Sequence, residues 1–168
     1  ISDTGTEDVL RESQNRVRSM ALIHEKLYQS SDLAHIDFAG YLRSLVSSLV
    51  QTYRIKPEKV VVRVQAENIS LNIDTAIPCG LIVNELVSNG LKYAFPEERS
   101  GSIQIDCEQS QDGHTVLVVS DDGVGLPPGF VVEDSPSLGL KLVTSLVRQI
   151  EGQLKVDGKY GTRFEIRF

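Results

Sequence analysis

The chain has 168 residues, of which 40% are hydrophobic and 24% are charged, and this composition is typical of an ordinary soluble globular protein. Its formal net charge of −6 argues against a nucleic-acid-binding surface, since nucleic acid attracts basic proteins. No apolar run approaches the roughly 18 residues of a membrane-spanning helix, so the sequence predicts no direct membrane insertion.

The first thirty residues are predicted to form a helix of coiled-coil character. Two sets of residues recur every seven positions: Leu10, Val17 and His24, and Ser13, Met20 and Leu27. A seam so short and mixed does not stabilise an isolated helix, so it predicts a partner helix. We interpret His24 as a partly buried packing residue, with a phosphate acceptor or a metal ligand as the alternatives. Because the chain starts at Ile1 and lacks the features of a signal peptide, we expect it to be part of a longer protein.

A second helix is predicted to begin after Asp37, a residue type that commonly caps helix N-termini. Its apolar residues follow the spacing of one helix face: Phe38, Leu42, Leu45, Val46, Leu49, Val50 and Tyr53. The stretch 54–58 contains Pro57 and marks a natural boundary in the chain. We therefore predict a helical segment over residues 1–55 and an α/β domain over residues 56–168.

From residue 60 onward the hydrophobic pattern alternates with a period of two, which predicts strands. The predicted strands cover residues 60–64, 69–73, 103–107, 115–120, 154–157 and 162–168. Two helices are predicted among them, over residues 74–95 and 138–150. In the first, Asp74 or Thr75 is the expected N-cap, and Pro78 is expected in the first turn. The pattern predicts a two-layer α/β sandwich behind a helical segment.

Two cysteines, Cys79 and Cys107, stand far apart in these elements and outside any cluster of metal-ligand residue types. They are expected to be reduced, buried thiols, which is typical of a cytoplasmic protein.

The polar side of the helix over residues 74–95 carries the first chemical signal. Glu85, Asn89 and Lys92 recur at i, i+4 and i+7, so they share one helix face. A carboxylate, an amide and an ammonium group aligned in this way could hold a magnesium–phosphate group. An ordinary solvated helix face is the alternative.

Three glycine-containing motifs follow this helix. The segment 121–125, Asp-Asp-Gly-Val-Gly, follows a buried strand, where a carboxylate could accept a hydrogen bond from an exocyclic amine and glycines allow close approach of a ligand. The segment 137–141, Ser-Leu-Gly-Leu-Lys, stands at a helix start, where unpaired N–H groups favour phosphate. The segment 161–164, Gly-Thr-Arg-Phe, enters the last strand. Taken singly, the motifs are explained as well by a turn, a helix N-terminus and a hairpin entry.

In this order and at these spacings, the four signals resemble the N box and the three glycine boxes of the GHKL ATP-binding fold. That superfamily includes sensor histidine kinases, gyrase B, Hsp90 and MutL, and the resemblance covers residues 60–168. It implies a Bergerat fold, which is a mixed, mostly antiparallel sheet with helices on one face. It also implies ATP and Mg²⁺ as cofactors.

The first part of the chain resembles one subfamily of sensor histidine kinases. The resemblance rests on residues 15–28, Asn-Arg-Val-Arg-Ser-Met-Ala-Leu-Ile-His-Glu-Lys-Leu-Tyr, together with Asp37-Phe38 and Tyr41-Leu42. In that subfamily such a segment forms the second helix of the dimerisation and phosphoacceptor hairpin. The resemblance implies a homodimer through the N-terminal helices, an upstream sensor domain in the full-length protein, and a response-regulator receiver domain as partner.

For the N box, the resemblance implies the following roles. Asn89 would be the side-chain ligand of the magnesium that bridges the phosphates. Glu85 would orient a water on the metal or help to activate the nucleophile, and Lys92 would act with it as a catalytic and phosphate-binding residue. Tyr93 would contact phosphate or ribose, and Asn84 is assigned to the same nucleotide-binding set. Positioning and charge neutralisation account for most of the catalysis of phosphoryl transfer, which makes these residue types chemically sensible.

For the glycine boxes, the resemblance implies an adenine pocket with a lid. Asp121 would read the adenine amino group, and Thr162 would help to hold adenine through water. The pocket wall and the lid beside the phosphates would include Gly123, Gly125, Gly139 and Leu140. The segment 126–136, rich in proline, glycine and acidic residues, would be the mobile ATP lid.

Two features depart from the family pattern. The subfamily's acceptor histidine stands in a basic stretch on the first hairpin helix, whereas residues 1–13 are acidic and contain no histidine. Autophosphorylation of this chain alone is therefore not expected, and His24, His35 and His114 are not assigned as acceptors. Gly90 stands where the family usually has alanine, which in mid-helix costs up to about 1 kcal/mol.

Two other functions remain as alternatives. A GHKL ATPase or a serine kinase, such as an anti-sigma factor kinase, would share the ATP-binding fold, but the helical segment speaks against it. A nucleotide-sensing or dimerising module without catalysis is compatible with the missing acceptor.

Overall fold

The computed structural model describes residues 4–168, apart from the side chains of residues 4 and 27. Four α-helices alternate with strands: α1 Thr4–Gln29, α2 Phe38–Thr52, α3 Ile73–Asn89 and α4 Leu138–Gln149. The strands are β1 Ile36–Asp37, β2 Val60–Ala66, β3 Ser70–Leu71, β4 Gly101–Gln109, β5 Thr115–Asp121, β6 Gln153–Asp157 and β7 Thr162–Arg167. A π-helical turn, Gly90–Ala94, continues α3, and a 3₁₀ turn, Val132–Asp134, precedes α4.

Five strands form one sheet in the order β2-β4-β5-β7-β6. β2 runs parallel to β4, and the other neighbouring pairs are antiparallel. The predicted fold class is therefore confirmed: a mixed, mostly antiparallel sheet with helices, preceded by a helical segment. The strand predicted over residues 69–73 is wrong in its extent, because only Ser70–Leu71 is extended and pairs with Ile36–Asp37 outside the main sheet.

The long helix begins and ends differently from its prediction. Asn72 is its N-cap, since its side-chain oxygen accepts the backbone N–H of Thr75 at 3.0 Å. Asp74 and Thr75, the expected caps, lie inside the first turn. Pro78 is the sixth residue of α3 and lies beyond that turn, so its missing N–H removes one helical hydrogen bond. The helix widens into the π-helical turn from Gly90, and such turns occur frequently at functional sites.

One hydrophobic core connects α2, α3, α4 and the sheet. The apolar face of α3 is buried as predicted, with Ile82, Val83 and Val87 fully enclosed against sheet residues such as Ile105. Each such side chain contributes roughly 1.5–3 kcal/mol relative to an exposed one. The second helix adds a further set of buried residues: Phe38, Leu42, Leu45 and Leu49. Because α2 shares this core, the division of the chain near residue 55 stays a prediction.

Two features predicted within this core agree with the structure. Asp37 caps α2 by accepting the N–H of Gly40 at 2.9 Å. Cys79 and Cys107 are free, buried thiols, and burial raises the pKa of each above its ordinary value. Both thiols therefore stay protonated and unreactive at neutral pH.

Helix α1 packs through a polar face rather than through its heptad seam. Asn15, Ser19 and Ile23 are at most 4% exposed, whereas Val17 is 64% exposed. The seam positions Leu10, Met20 and His24 are exposed as well, while Leu27 lies outside the described side chains. The prediction of a partly buried packing role for His24 is wrong within this chain. Within residues 4–168, no helix combines the length and apolar character needed to cross a bilayer.

Candidate functional site

Two adjoining clefts lie beside the C-terminal half of α3 and the segment before α4. One is mainly apolar, and the other is polar. Asn89, Tyr93 and Ser137 line both clefts. One elongated ligand could therefore extend through both.

Asp121 is the acidic residue of the apolar cleft. Its Oδ1 accepts the backbone N–H of Gly123 at 2.9 Å and that of Thr162 at 3.2 Å. Its Oδ2 points towards Gly90, ending 3.9 Å from where a Cβ on that residue would lie. Burial raises the pKa of Asp121, and the two backbone N–H groups act against that rise. A carboxylate held in this way can accept one further hydrogen bond from a ligand donor.

Glycines let the loops beside Asp121 pack closely. Gly161 has φ +75°, and a Cβ there would lie 1.9 Å from the carbonyl oxygen of Asp121. Gly125 also has a positive φ, of +78°, and lines the apolar cleft. Gly123 lines neither cleft. A Cβ on it would lie 2.4 Å from the carbonyl oxygen of Ala94, which explains why this position holds glycine. Any larger residue at these glycines would displace the loop that carries Asp121.

Six apolar residues form the walls of the apolar cleft, and only half of them lie in segments predicted to belong to the site. They are Leu86, Ile103, Val119, Leu126, Phe130 and Phe164. Leu126 and Phe130 belong to the predicted lid segment 126–136, and Phe164 belongs to the motif at residues 161–164. The other three carry only the signal of a buried strand or of a helix face, which does not distinguish a cleft wall from ordinary core. Arg99 was also missed, and its guanidinium donates to the carbonyls of Asp122 at 2.9 Å and Gly123 at 3.1 Å. This contact fastens the turn after β5.

The polar cleft contains the predicted N-box residues. Asn84, Glu85, Asn89 and Lys92 all line it, as does Gly139 from the start of α4. Glu85 is only 5% exposed. The alternative of a solvated helix face is therefore wrong for Glu85.

Helix α1 supplies the partners of these residues, and the sequence pattern predicted none of these contacts. Arg16 donates from Nε to Glu85 Oε1 at 2.5 Å and from Nη2 to Glu85 Oε2 at 3.1 Å. The bond to Glu85 is the main cause that raises the pKa of Arg16 above its ordinary value. Lys92 forms an ion pair with Glu12. The sequence signal was weak: Glu12 and Arg16 are opposite charges spaced i, i+4, a pattern more often found on an exposed helix face.

A third polar contact joins α1 to α3 next to these ion pairs. Ser19 donates to Asn84 Oδ1 at 2.6 Å, so this amide oxygen is engaged by α1. Asn15 donates to the hydroxyl of Tyr53 at 3.0 Å. Asn84 is thus placed at the site, with its side-chain oxygen facing α1.

The start of α4 adds backbone N–H groups to the polar cleft. Ser137 caps the helix and accepts the N–H of Leu140 at 3.4 Å. Gly139 lies close to the N box, since a Cβ there would be 2.6 Å from Glu85 Oε2. Helix N-termini of this kind attract anionic groups. The segment 126–136 lies between the motifs at residues 121–125 and 137–141. Phe130 of this segment lines the apolar cleft.

The donor set of the polar cleft fits a magnesium ion that arrives with a phosphorylated ligand. The cleft offers the amide of Asn89 and the carboxylate of Glu85, and Ser88 Oγ is buried there with no hydrogen-bond partner in the described part of the chain. Residues 4–168 contain no group of three or more His, Cys, Asp or Glu residues that could hold a metal alone. Mg²⁺ typically uses one or two protein ligands together with phosphate oxygens and water.

Comparison with known protein families gives two matches. A family described as "Histidine kinase-, DNA gyrase B-, and HSP90-like ATPase" matches residues 74–168. A family described as "Histidine kinase" matches residues 1–53. The two matched regions together include α1, α2 and both clefts.

Individual relatives match over most of this chain. The sensor histidine kinase PdtaS of Mycobacterium tuberculosis is 34% identical over 157 residues, which are 93% of this chain and 30% of PdtaS. Blue-light-activated histidine kinase 2 of Erythrobacter litoralis is 28% identical over 138 residues, covering 77% of this chain and 39% of that protein. The chain thus spans about a third of the length of these curated relatives.

A solved structure is similar over nearly the whole chain. It is the histidine kinase domain from the Erythrobacter litoralis EL346 blue-light activated histidine kinase, with a TM-score of 0.84 and 25% sequence identity. The match covers 94% of this chain and 74% of that domain.

Proposed function

Because this chain belongs to the family of histidine kinase-, DNA gyrase B-, and HSP90-like ATPases, we propose that it is the ATP-binding catalytic region of a two-component sensor histidine kinase. The resemblance inferred from the four motifs is confirmed by the family matches and by the relatives. The full protein would transfer the γ-phosphate of ATP to a histidine and then to an aspartate of a response regulator. The observation that carries this proposal is the position of Asp121 in an apolar cleft that continues into a polar cleft with Asn89 and Lys92.

The apolar cleft suits adenine. Asp121 would accept a hydrogen bond from the exocyclic amino group of the base, with Oδ1 already fixed by two backbone N–H groups. Thr162, whose N–H is one of these donors, would hold a water between itself and the base. Gly125 and Leu140 line the same cleft, so the ring would be enclosed between them and the sheet. Gly123 would act indirectly, through the shape of the loop.

The polar cleft suits the phosphates. Lys92 and the N-terminal turn of α4, which includes Gly139, provide positive charge and N–H donors. Tyr93 borders both clefts and would contact the ribose or a phosphate. Asn89 would hold Mg²⁺ through its amide oxygen. Asn84, which accepts a hydrogen bond from Ser19, would belong to the same nucleotide-binding set. The bound metal would neutralise the charge that develops on the phosphates during transfer.

Glu85 is the proposed catalytic carboxylate. It would orient a water on the metal or help to activate the nucleophile, and Lys92 would stabilise the transferred phosphoryl group. In this structure Glu85 is hydrogen-bonded by Arg16 through both of its oxygens. The hydrogen bonds from Arg16 to Glu85 would therefore have to break, at least in part, before Glu85 could help to activate a nucleophile.

The acceptor histidine is proposed to lie outside this chain, on the first helix of the dimerisation hairpin. The surroundings of His24, His35 and His114 do not resemble the basic acceptor stretch of the subfamily. The histidine kinase family match over residues 1–53 speaks against a serine kinase or an unrelated ATPase.

We further propose a division into a helical segment over residues 1–55 and a catalytic domain over residues 56–168. The partners would be a second copy through the N-terminal helices, an upstream sensor domain and a receiver domain, in a phosphorelay. ATP as cofactor and two reduced, buried thiols support a cytoplasmic location.

Calorimetry of ATP binding with and without Mg²⁺ tests the proposal. We expect the wild type to bind ATP, and both Asn89→Ala and Asp121→Asn to lose affinity about tenfold or more, because each removes a contact to a charged group worth about 1.5–3 kcal/mol. Asp106→Asn is the matched control, since Asp106 lies on β4 and lines neither cleft. Asn89→Ala should also remove the dependence on Mg²⁺.

Transfer is tested by adding a separately prepared first hairpin helix from the full-length protein. Labelled ATP should then label a histidine of that helix, and Glu85→Gln should abolish the label while keeping ATP binding. Absence of ATP binding by the wild type would contradict the whole proposal. Binding without transfer would favour a nucleotide-sensing module without catalysis.

A further inference from the structure

Helix α1 is attached to the catalytic site mainly by charged and polar side chains. Four of its residues, Glu12, Asn15, Arg16 and Ser19, make hydrogen bonds or ion pairs with residues at or beside the polar cleft. Ile23 is its one fully buried apolar residue among the described side chains. Contacts of this kind can be replaced by hydrogen bonds to water or to a charged ligand, so α1 can be displaced by a ligand that supplies them.

The charges at this contact form an alternating line. Lys92 pairs with Glu12, Glu12 lies 3.7 Å from Arg16, and Arg16 pairs with Glu85. The side chains are 14% exposed for Lys92, 29% for Glu12 and 14% for Arg16. Their mutual attraction is therefore less screened than on an open surface. When α1 is docked, Glu85 and Lys92 of the polar cleft each have an oppositely charged partner.

Glu12 binds Lys92 in the way that an anionic ligand of this cleft would. It is a carboxylate bound to the ammonium group that would otherwise hold phosphate, and it lines the polar cleft together with Asn89 and Gly139. A phosphate entering this cleft would meet a negative charge on Glu12 and a Lys92 already engaged. Ser88 Oγ, buried in the same cleft with no hydrogen-bond partner among residues 4–168, marks a polar position that α1 leaves unfilled. The docked α1 thus leaves one polar group of this cleft without a hydrogen bond among the described residues.

We propose that Glu12 sets the affinity of the site for nucleotide phosphates by competing with them for Lys92. This inference rests on the proposed function and deepens it, because it makes α1 a built-in competitor of ATP. Binding is reciprocal: a phosphate that takes Lys92 from Glu12 weakens the docking of α1, and with it the hold of Arg16 on Glu85. ATP binding would in this way prepare Glu85 for catalysis.

The test compares the wild type, Glu12→Gln and Asp8→Asn in calorimetry with ATP, ADP and adenosine in the presence of Mg²⁺. Glu12→Gln removes the competing charge and keeps the size of a partly exposed side chain, so it should fold normally. Asp8→Asn is the matched control: it removes the same charge about one helical turn away, from an exposed ion pair with Arg11. Adenosine has no phosphate, so it reports on the adenine cleft alone.

We expect Glu12→Gln to bind ATP and ADP about three- to tenfold more tightly than the wild type, a coupling at the lower end of those usually measured. Its affinity for adenosine should be unchanged, and Asp8→Asn should resemble the wild type throughout. In wild-type protein, ATP should increase amide hydrogen exchange in α1 and adenosine should not.

Three results would overturn the inference: unchanged ATP affinity in Glu12→Gln, an equal gain for adenosine, or the same gain in Asp8→Asn. In each case ATP still binds and the proposed function stands. Absence of ATP binding by all three proteins would overturn the proposed function, and this inference with it.

Discussion

Asp121 is a carboxylate whose surroundings oppose its charge until a ligand donor arrives. Burial raises its pKa, although two backbone N–H groups act in the other direction. A raised pKa in the folded state means that folding favours the protonated form. The resulting stabilisation is complete below the ordinary aspartate value of 3.8 and is lost as the pH rises through the raised value. At neutral pH the ionised carboxylate therefore destabilises the fold.

This sign gives a prediction for Asp121→Asn. The amide oxygen can still accept the N–H groups of Gly123 and Thr162, while the buried charge is gone. We expect urea unfolding at pH 7 to show a variant at least as stable as the wild type, even though its affinity for ATP is lower. The advantage should shrink as the pH is lowered towards 4. A variant that is clearly less stable at pH 7 would contradict this account.

At this scale the sequence could identify some residues and not others. Asp121 and Asn89 stand in motifs that, taken together in their order and spacing, resemble those of a known family, so their selection needed no knowledge of distant contacts. Arg16 meets Glu85 across 69 positions and Glu12 meets Lys92 across 80. Neither charge on α1 carries a local pattern that distinguishes it from a solvated helix residue. Only the tertiary arrangement assigns them to the site.

The start of α3 shows how a short polar motif determines the beginning of an element. The sequence Asn72-Ile73-Asp74-Thr75 offers several residue types that can cap a helix. Asn72 takes the position because the preceding β3 ends at Leu71, and the chain turns into the helix directly after it. The expected cap, Asp74, is an acidic residue in the first turn and acts there on the helix dipole.

Two alanine variants distinguish these roles. Asn72→Ala should lower the free energy of unfolding by about 0.5–2 kcal/mol, since the N–H of Thr75 loses its side-chain acceptor. Asp74→Ala should cost less, about 0.3–1 kcal/mol at low ionic strength, and less again in high salt. Urea denaturation at two salt concentrations measures both. A larger loss in Asp74→Ala than in Asn72→Ala would show that the cap assignment is wrong.

At the scale of elements, the periodicity of hydrophobic residues predicted the long, regular helices and strands. The helix from residue 138 and the strand from residue 115 match their predictions to within one residue at each end. The β1–β3 pair was missed because two-residue strands contain no repeat to detect. The π-helical turn from Gly90 was missed because a widened turn has no distinct hydrophobic period.

At the scale of the whole molecule, α1 presents two different sides. Its polar side lies against α3, and an apolar stripe with Leu10, Val17 and Met20 is exposed on the other side. Exposed apolar residues at heptad spacing are typical of an unfilled helix–helix interface. The fold class and the helical segment were predictable from hydrophobic patterns. The way in which α1 sits on the domain was not, because it depends on a few charged contacts between distant residues.

The stripe leads to a prediction about assembly. We expect the wild type to form dimers with rising concentration, and Val17→Lys to remain monomeric, because it places a charge in the centre of the stripe. Gln29→Lys, an exposed substitution at the end of α1, should dimerise like the wild type. Sedimentation equilibrium measures the change, and calorimetry should give the same ATP affinity for all three proteins. A monomeric wild type at the highest concentrations would contradict the assignment of the stripe as an interface.

The opposite placement of these two sides has a consequence for divergence among related signalling proteins. If the exposed stripe is the interface between two copies, substitutions on it would alter which chains associate and would leave the side that meets Glu85 and Lys92 unchanged. After a gene duplication, the daughter proteins could therefore lose mixed pairing through a few outward-facing changes, without any loss of control over phosphate chemistry. A single helix would in this way let insulation between pathways evolve independently of enzyme regulation.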